Sequence, residues 1–136
     1  MVSIHVAYDG GKSCTLTHDD SGAVIRTTAP KDVGGEGNAF SPTDLVASAL
    51  AACIITTMAM FAERNGLELT GSKVHVTKEM STDAPRRIVG LPVTVTLPAN
   101  NVPADIREKL EIVGHTCPVA KSLAAGVNAP ITFVYE

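Results

Sequence analysis

Three cysteines carry the reactive chemistry of this 136-residue chain: Cys14, Cys53 and Cys117. Their spacings fit no zinc framework, and no CxxC is present. A thiolate is a nucleophile that climbs an oxidation ladder through a sulfenic acid, and a second thiol can capture that acid as a disulfide. In a reducing compartment cysteines are free, catalytic or metal-bound more often than they are structural disulfides. The plain alternative for each is a buried thiol acting as a small hydrophobe.

The elements around the three differ. Cys53 falls in the middle of a long apolar segment, about eleven residues past its start. A helix dipole fades within the first turn, so any activation of Cys53 must come from another segment. Cys117 stands before Pro118 at the N-cap of a short helix. The free amides of that first turn favour a thiolate, so local physics makes Cys117 the more acidic thiol. Cys14 alternates along a strand in phase with Lys12 and Leu16 and reads as a bystander.

The long segment begins at Ser41-Pro42-Thr43-Asp44, with Ser as N-cap, Pro at the first helical position and an acid at the third. Residues 45–61 contain no charge, and Gly66 follows as a stop. The pattern predicts a helix over about 42–65, roughly 35 Å long. It is at the short end for a membrane span, it is Ala-rich with Ser48, Thr56 and Thr57, and strand patterns flank it. It therefore reads as a central helix covered on every side, by the meander on one and by a second helix, a second sheet or a partner subunit on the others.

Before it, residues 2–8, 13–18 and 23–28 alternate and are joined by Asp9-Gly10-Gly11 and by Asp19 to Gly22, which predicts an antiparallel meander. Residues 29–40 form a glycine-rich loop of the length that is usually functional. After the helix, residues 67–80 and 87–98 predict a second hairpin. A helix follows over 103–115, then a short one from Pro118 with Gly126 as its stop, and a closing strand over 131–136. Runs of strands interrupted by helices predict an α+β domain spanning 1–136.

Net charge is -3, and nothing in the distribution suggests nucleic acid; the pair Arg86-Arg87 is too short for a binding stripe. The start, MVSIHVAYDGG, lacks the basic and long apolar regions of a signal peptide, so a cytoplasmic protein is expected, with no membrane association. A small chain poor in polar surface often buries a further face in an oligomer.

The segment SPTDLVASALAACIITTMAMFAERNGLEL resembles the central helix of the OsmC/Ohr family. LEIVGHTCPVAKSL resembles that family's second cysteine motif, and the strand order agrees, so the likeness spans nearly the whole chain. It implies an OsmC-like fold, with antiparallel sheets packed around a long central helix in a swapped homodimer. It implies a peroxidase acting on organic hydroperoxides, and on hydrogen peroxide. Cys53 would attack the peroxide and Cys117 would resolve the sulfenic acid. A dithiol, lipoyl or thioredoxin-type reductant would restore the thiols, and no cofactor or metal is implied.

The chain departs from the family where a glutamate early in the helix and an N-terminal arginine assist the thiolate. Thr43 stands at the helix position, beside Asp44, and no arginine precedes Arg26. Glu36 is a second candidate carboxylate, and His115 a candidate proton carrier. These departures point to an OsmC-like branch. They also keep a second reading open: a non-catalytic dimer binding a small hydrophobic ligand. A zinc site built from Cys53, His115 and Cys117 is a third, without customary spacing.

Overall fold

The alternation at the start of the chain becomes a three-stranded antiparallel sheet in the computed structural model, which describes residues 1–136. Strands β1 (Ile4–Gly10), β2 (Ser13–His18) and β3 (Val24–Thr28) are neighbours in that order. Val6 pairs with Leu16 and Leu16 with Ile25, while Tyr8 pairs with Cys14. Side chains alternate in a strand, so Ile4, Val6, Tyr8, Leu16 and Ile25 share one face.

The β1–β2 turn is bulged, and Lys12 within it adopts φ 60, which is strained for a residue other than glycine. Its N–H donates to Tyr8 Oη at 3.2 Å, its Nζ donates to the Gly34 carbonyl at 3.1 Å, and its own carbonyl accepts the Ala29 N–H at 3.0 Å. The loop over 29–40 is thereby tied to the hairpin. It holds one 3-10 turn, Lys31–Val33. A Cβ on Gly35 would collide with the Ala29 carbonyl, so the loop closes on itself only with glycine there.

Two compact units divide the chain, Met1–Val46 and Ala47–Glu136, and helix α1 (Pro42–Arg64) begins in the first and runs into the second. Its start is the predicted cap. Asp44 N–H donates to Ser41 Oγ at 3.1 Å, and Ser41 N–H donates to Asp44 Oδ2 at 2.8 Å.

In the second unit α1 contributes Ala47, Leu50, Ala51, Ile54, Met58 and Ala62 to the buried core. Val46, Ala49, Ala52, Thr56 and Met60 remain exposed at three- and four-residue spacing. One chain therefore covers only part of the helix, which leaves the partner subunit as the remaining cover among those expected. By length and composition alone α1 is also apolar enough to cross a membrane.

The predicted second hairpin is present but broken. Strands β4 (Lys73–Val76) and β7 (Val93–Leu97) pair, as do β5 (Glu79–Met80) and β6 (Ile88–Gly90), in separate sheets. Pro92 sits at the break; it has no N–H to donate, though its carbonyl accepts Thr77 N–H at 3.2 Å.

Strand β8 (Ile131–Tyr135) lies parallel to β7, which corrects the expectation of wholly antiparallel sheets. The connection between them passes through α2 (Ala104–Gly114) and α3 (Pro118–Ser122). A helical crossover of this kind brings a strand back in the same direction. α3 is shorter than predicted, because Leu123 is already extended (ψ 148) and turns its side chain to the core.

Candidate active site: two thiols at the head of a short helix

Cys53 is carried on α1 between Leu50 and Ile54, both fully buried, and is itself half-buried. Anchored neighbours on either side fix the rotation of the helix and hence the direction of the thiol. Cys117 is brought to it by the turn that follows α2. Thr116 closes that turn, its N–H at 2.9 Å and its hydroxyl at 2.7 Å from the Val113 carbonyl. Cys117 is then the N-cap of α3: Ala120 N–H donates to its Sγ at 3.4 Å, and its carbonyl accepts Lys121 N–H at 3.1 Å.

The two thiols are in hydrogen-bonding contact, and both are free. Cys117 is 0 % exposed. Burial pushes its thiol above the usual cysteine range; the Ala120 N–H opposes this, and the neighbouring Cys53 adds to it by hydrogen bond and charge. The expectation that the N-cap makes Cys117 acidic is thus overturned: the amide of the first turn is aimed at the sulfur, but removal from water outweighs it. The contact with Cys53 therefore adds to burial in favouring the neutral form of Cys117.

Gly114, inside the helix predicted over 103–115, sets this approach. A Cβ there would lie 3.1 Å from Met58 Sδ and 3.1 Å from Phe133 Cζ. The bare α-carbon lets the end of α2 press against α1 and β8, three residues before Cys117. A glycine at a helix terminus looks like an ordinary stop, so the sequence held no sign of this role.

The other candidates fall as follows. His115 caps α2 through its backbone N–H, 3.1 Å from the Ile112 carbonyl, and its ring meets Phe133 edge-on at 5.8 Å. Arg26, Glu36 and Asp44 belong to the first unit. Arg26 is exposed on β3 opposite Thr15. Glu36 is exposed and accepts the Asn38 side-chain amide at 2.9 Å. Asp44 takes part in the helix cap. Cys14 is half-buried in β2, paired with Tyr8 and Thr27. No group of three His, Cys, Asp or Glu side chains is placed to hold a metal ion.

Comparison with known proteins bears on the family and the fold. The family profile described as OsmC-like protein matches residues 35–132. A crystal structure from Psychrobacter arcticus, of a protein named for a proposed role in osmotic stress and detoxification response, superimposes with a TM-score of 0.91 at 32 % identity, covering 98 % of this chain and 96 % of that one. An organic hydroperoxide resistance protein OsmC from Legionella pneumophila gives 0.78 at 18 % identity, over 98 % and 96 % of the two chains. An organic hydroperoxide resistance protein from Elizabethkingia anophelis gives 0.79 at 14 % identity, over 100 % and 96 %. The last two likenesses speak to the fold alone. With most of its length matched by the family profile and its α+β architecture shared with these structures, the chain belongs to the OsmC-like protein family.

Proposed function

We propose that this protein is a two-cysteine thiol peroxidase that reduces organic hydroperoxides, and hydrogen peroxide, as a homodimer. The observation that carries the reading is the contact between two free thiols of unequal access. Cys53 is half-buried, while Cys117 is buried and its thiol is pushed up by that burial. The Cys53 thiolate attacks the distal peroxide oxygen. The O–O bond breaks, the alcohol leaves with a proton, and Cys53 becomes a sulfenic acid. The Cys117 sulfur then attacks the Cys53 sulfur, water leaves, and a Cys53–Cys117 disulfide forms. A dithiol, lipoyl or thioredoxin-type donor supplies the two electrons that restore the thiols. Such recycling suits a cytoplasmic setting. His115, two residues before Cys117, is the proton carrier we propose.

The dimer is supported by apolar surface that one chain leaves open. Val6 is 60 % and Tyr8 69 % exposed on the shared face of β1, and the stripe on α1 is open as well. Monomeric proteins rarely expose such contiguous patches. An exchange of this face between two copies is the swapped arrangement we propose.

The alternative, a non-catalytic dimer holding a small hydrophobic ligand, has one observation in its favour. A cavity of about 260 Å³ opens on that face, lined by Ile4, Leu16, His18, Ala23 and Ile25. Peroxide consumption separates the two readings. Cys53→Ser should abolish turnover. Cys117→Ser should permit one round and then stall, with Cys53 drifting to sulfinic acid. Turnover by a Cys53→Ser protein would end the assignment.

A further inference from the structure

The two thiols are carried on supports of unequal stiffness. Cys53 belongs to the middle of a 23-residue helix and lies between Leu50 and Ile54, both fully buried. A helical side chain there has few rotamers to choose from. Cys117 opens α3, a helix of five residues, from an extended backbone at φ -62 and ψ 144. A single helical turn is not stable by itself, and no acidic residue supports the first turn of this one. Its cap is the thiol: the N–H groups of Ala120, at 3.4 Å, and of Val119 both donate to Cys117 Sγ. The segment is anchored on either side. Before it, Gly114 is pressed against Met58 and Phe133. After it, Asn128 N–H donates to the Val89 carbonyl at 2.9 Å and its carbonyl accepts Leu91 N–H at 2.8 Å. Between the anchors Leu123 and Val127 pack on the core, while the backbone bonds from Leu123 to Ala120 and from Val127 to Ala124 are local.

Resting on the peroxidase reading above, we propose that α3 is a redox-responsive turn: when the Cys53–Cys117 bond forms, Cys117 Sγ leaves the amides of Val119 and Ala120, and the turn loosens between its two anchors while α1 stays unchanged. The hydroperoxide takes two electrons and two protons from the thiol pair and leaves as alcohol and water. A disulfide of about 2.05 Å then replaces a hydrogen-bonded contact, so the sulfurs close by roughly an ångström or more. That movement falls on the support that yields, which is the single turn and not the long helix. Two half-buried amides of α3 lose their acceptor, and an uncapped turn opens more often. Leu123 and Val127 keep the segment on the core, so the change is a local opening and not a release. When a dithiol donor returns two electrons and two protons, the thiol and its cap are restored. The oxidised and reduced forms thus differ at α3 as well as at the sulfurs.

Amide hydrogen exchange read by NMR tests this. The protein is compared in its reduced form and after one equivalent of cumene hydroperoxide, with the loss of two hydrogens at Cys53–Cys117 verified by mass first. The Ala120 amide should exchange about five- to tenfold faster in the oxidised form, with the amides of Ile54 and Asn128 unaltered. Two variants isolate the cap without any oxidant. Cys117→Ala removes the acceptor and should give the fast Ala120 exchange already in the reduced state. Cys117→Ser keeps an N-cap oxygen and should hold Ala120 as slow as in the reduced unaltered protein. A verified disulfide with unchanged Ala120 exchange overturns the proposal, as does an acceleration shared equally by Ile54 and Asn128, or a Cys117→Ala protein whose Ala120 exchanges no faster than that of Cys117→Ser. Failure to form the disulfide, seen by mass before any exchange is measured, would instead remove the peroxidase reading, and this inference with it.

Discussion

The two compact units solve the burial problem in opposite ways. Ala47–Glu136 encloses a core of Leu50, Ile54, Met58, Leu91, Val95 and Leu110, each almost entirely removed from water. Met1–Val46 buries only Thr27, Thr28 and Ser41, all polar, and exposes Val2, Ile4, Val6, Tyr8, Ile25 and Phe40. A three-stranded sheet with an apolar face needs a second layer, and in this unit the buried set supplies none. The unit that holds the thiol pair is self-sufficient in core, whereas the meander is built for something it does not contain.

The largest expected effect breaks the less complete side of that contrast. Val6 lies between Tyr8 and Ile4 on the shared face, opposite Leu16. Val6→Asp places a charge in the face we propose to be covered by a second copy. Sedimentation equilibrium should find the unaltered protein dimeric and the variant shifted to monomer or to a partly unfolded chain. A variant that stays dimeric with unchanged stability would mean that this face is not the interface.

On the self-sufficient side, Ile54→Ala opens a cavity beside Cys53 and should cost about 2–5 kcal/mol in denaturant unfolding, as large-to-small core changes do. A loss under about 1 kcal/mol would show the second unit to be less tightly packed than the contrast requires.

Gly114→Ala sets a gain in helix propensity against contact with Met58 and Phe133. Overpacking of this kind costs about 1–3 kcal/mol, against about 1 kcal/mol recovered from replacing glycine. The net expectation is mild destabilisation, with slower disulfide closure because the turn to Cys117 is pushed from α1. Closure at the original rate would show that Gly114 does not set the approach.

The smallest effect concerns alkaline stability. Tyr135 O–H donates to Glu111 Oε1 at 2.9 Å, and Arg107 stacks 4.1 Å from its ring centroid. Burial first, then the Glu111 contact, pushes its phenol up to about 12. A group raised in the folded state contributes stability that is complete below its ordinary value of about 10 and is lost as pH rises towards about 12. The buried Cys117 thiol, also raised, acts in the same direction. Tyr135→Phe should therefore unfold at neutral pH slightly more easily than the unaltered protein, and the gap should narrow above about pH 10. A gap that widens with pH would reverse the sign of the argument.

Much of this was legible in the amino-acid order. The meander, the capped α1 and its limits, and the positions of α2 and β8 follow from alternation, capping residues and turn chemistry, which act over a few residues. The family likeness drew the two thiols together before any coordinates did. Three features were not legible because they depend on tertiary surroundings. The parallel pairing of β8 depends on where a crossover ends. The acidity of Cys117 turns on burial, and an N-cap pattern carries no information about depth. The role of Gly114 depends on two side chains from distant segments meeting one α-carbon.

The most direct test of the account is intact-mass analysis, with peptide mapping, of the reduced protein after one equivalent of cumene hydroperoxide. The account predicts a rapid loss of two hydrogens localised to a Cys53–Cys117 bond, with Cys14 still a free thiol. Both thiols remaining free over minutes would contradict it, and would favour the ligand-binding dimer.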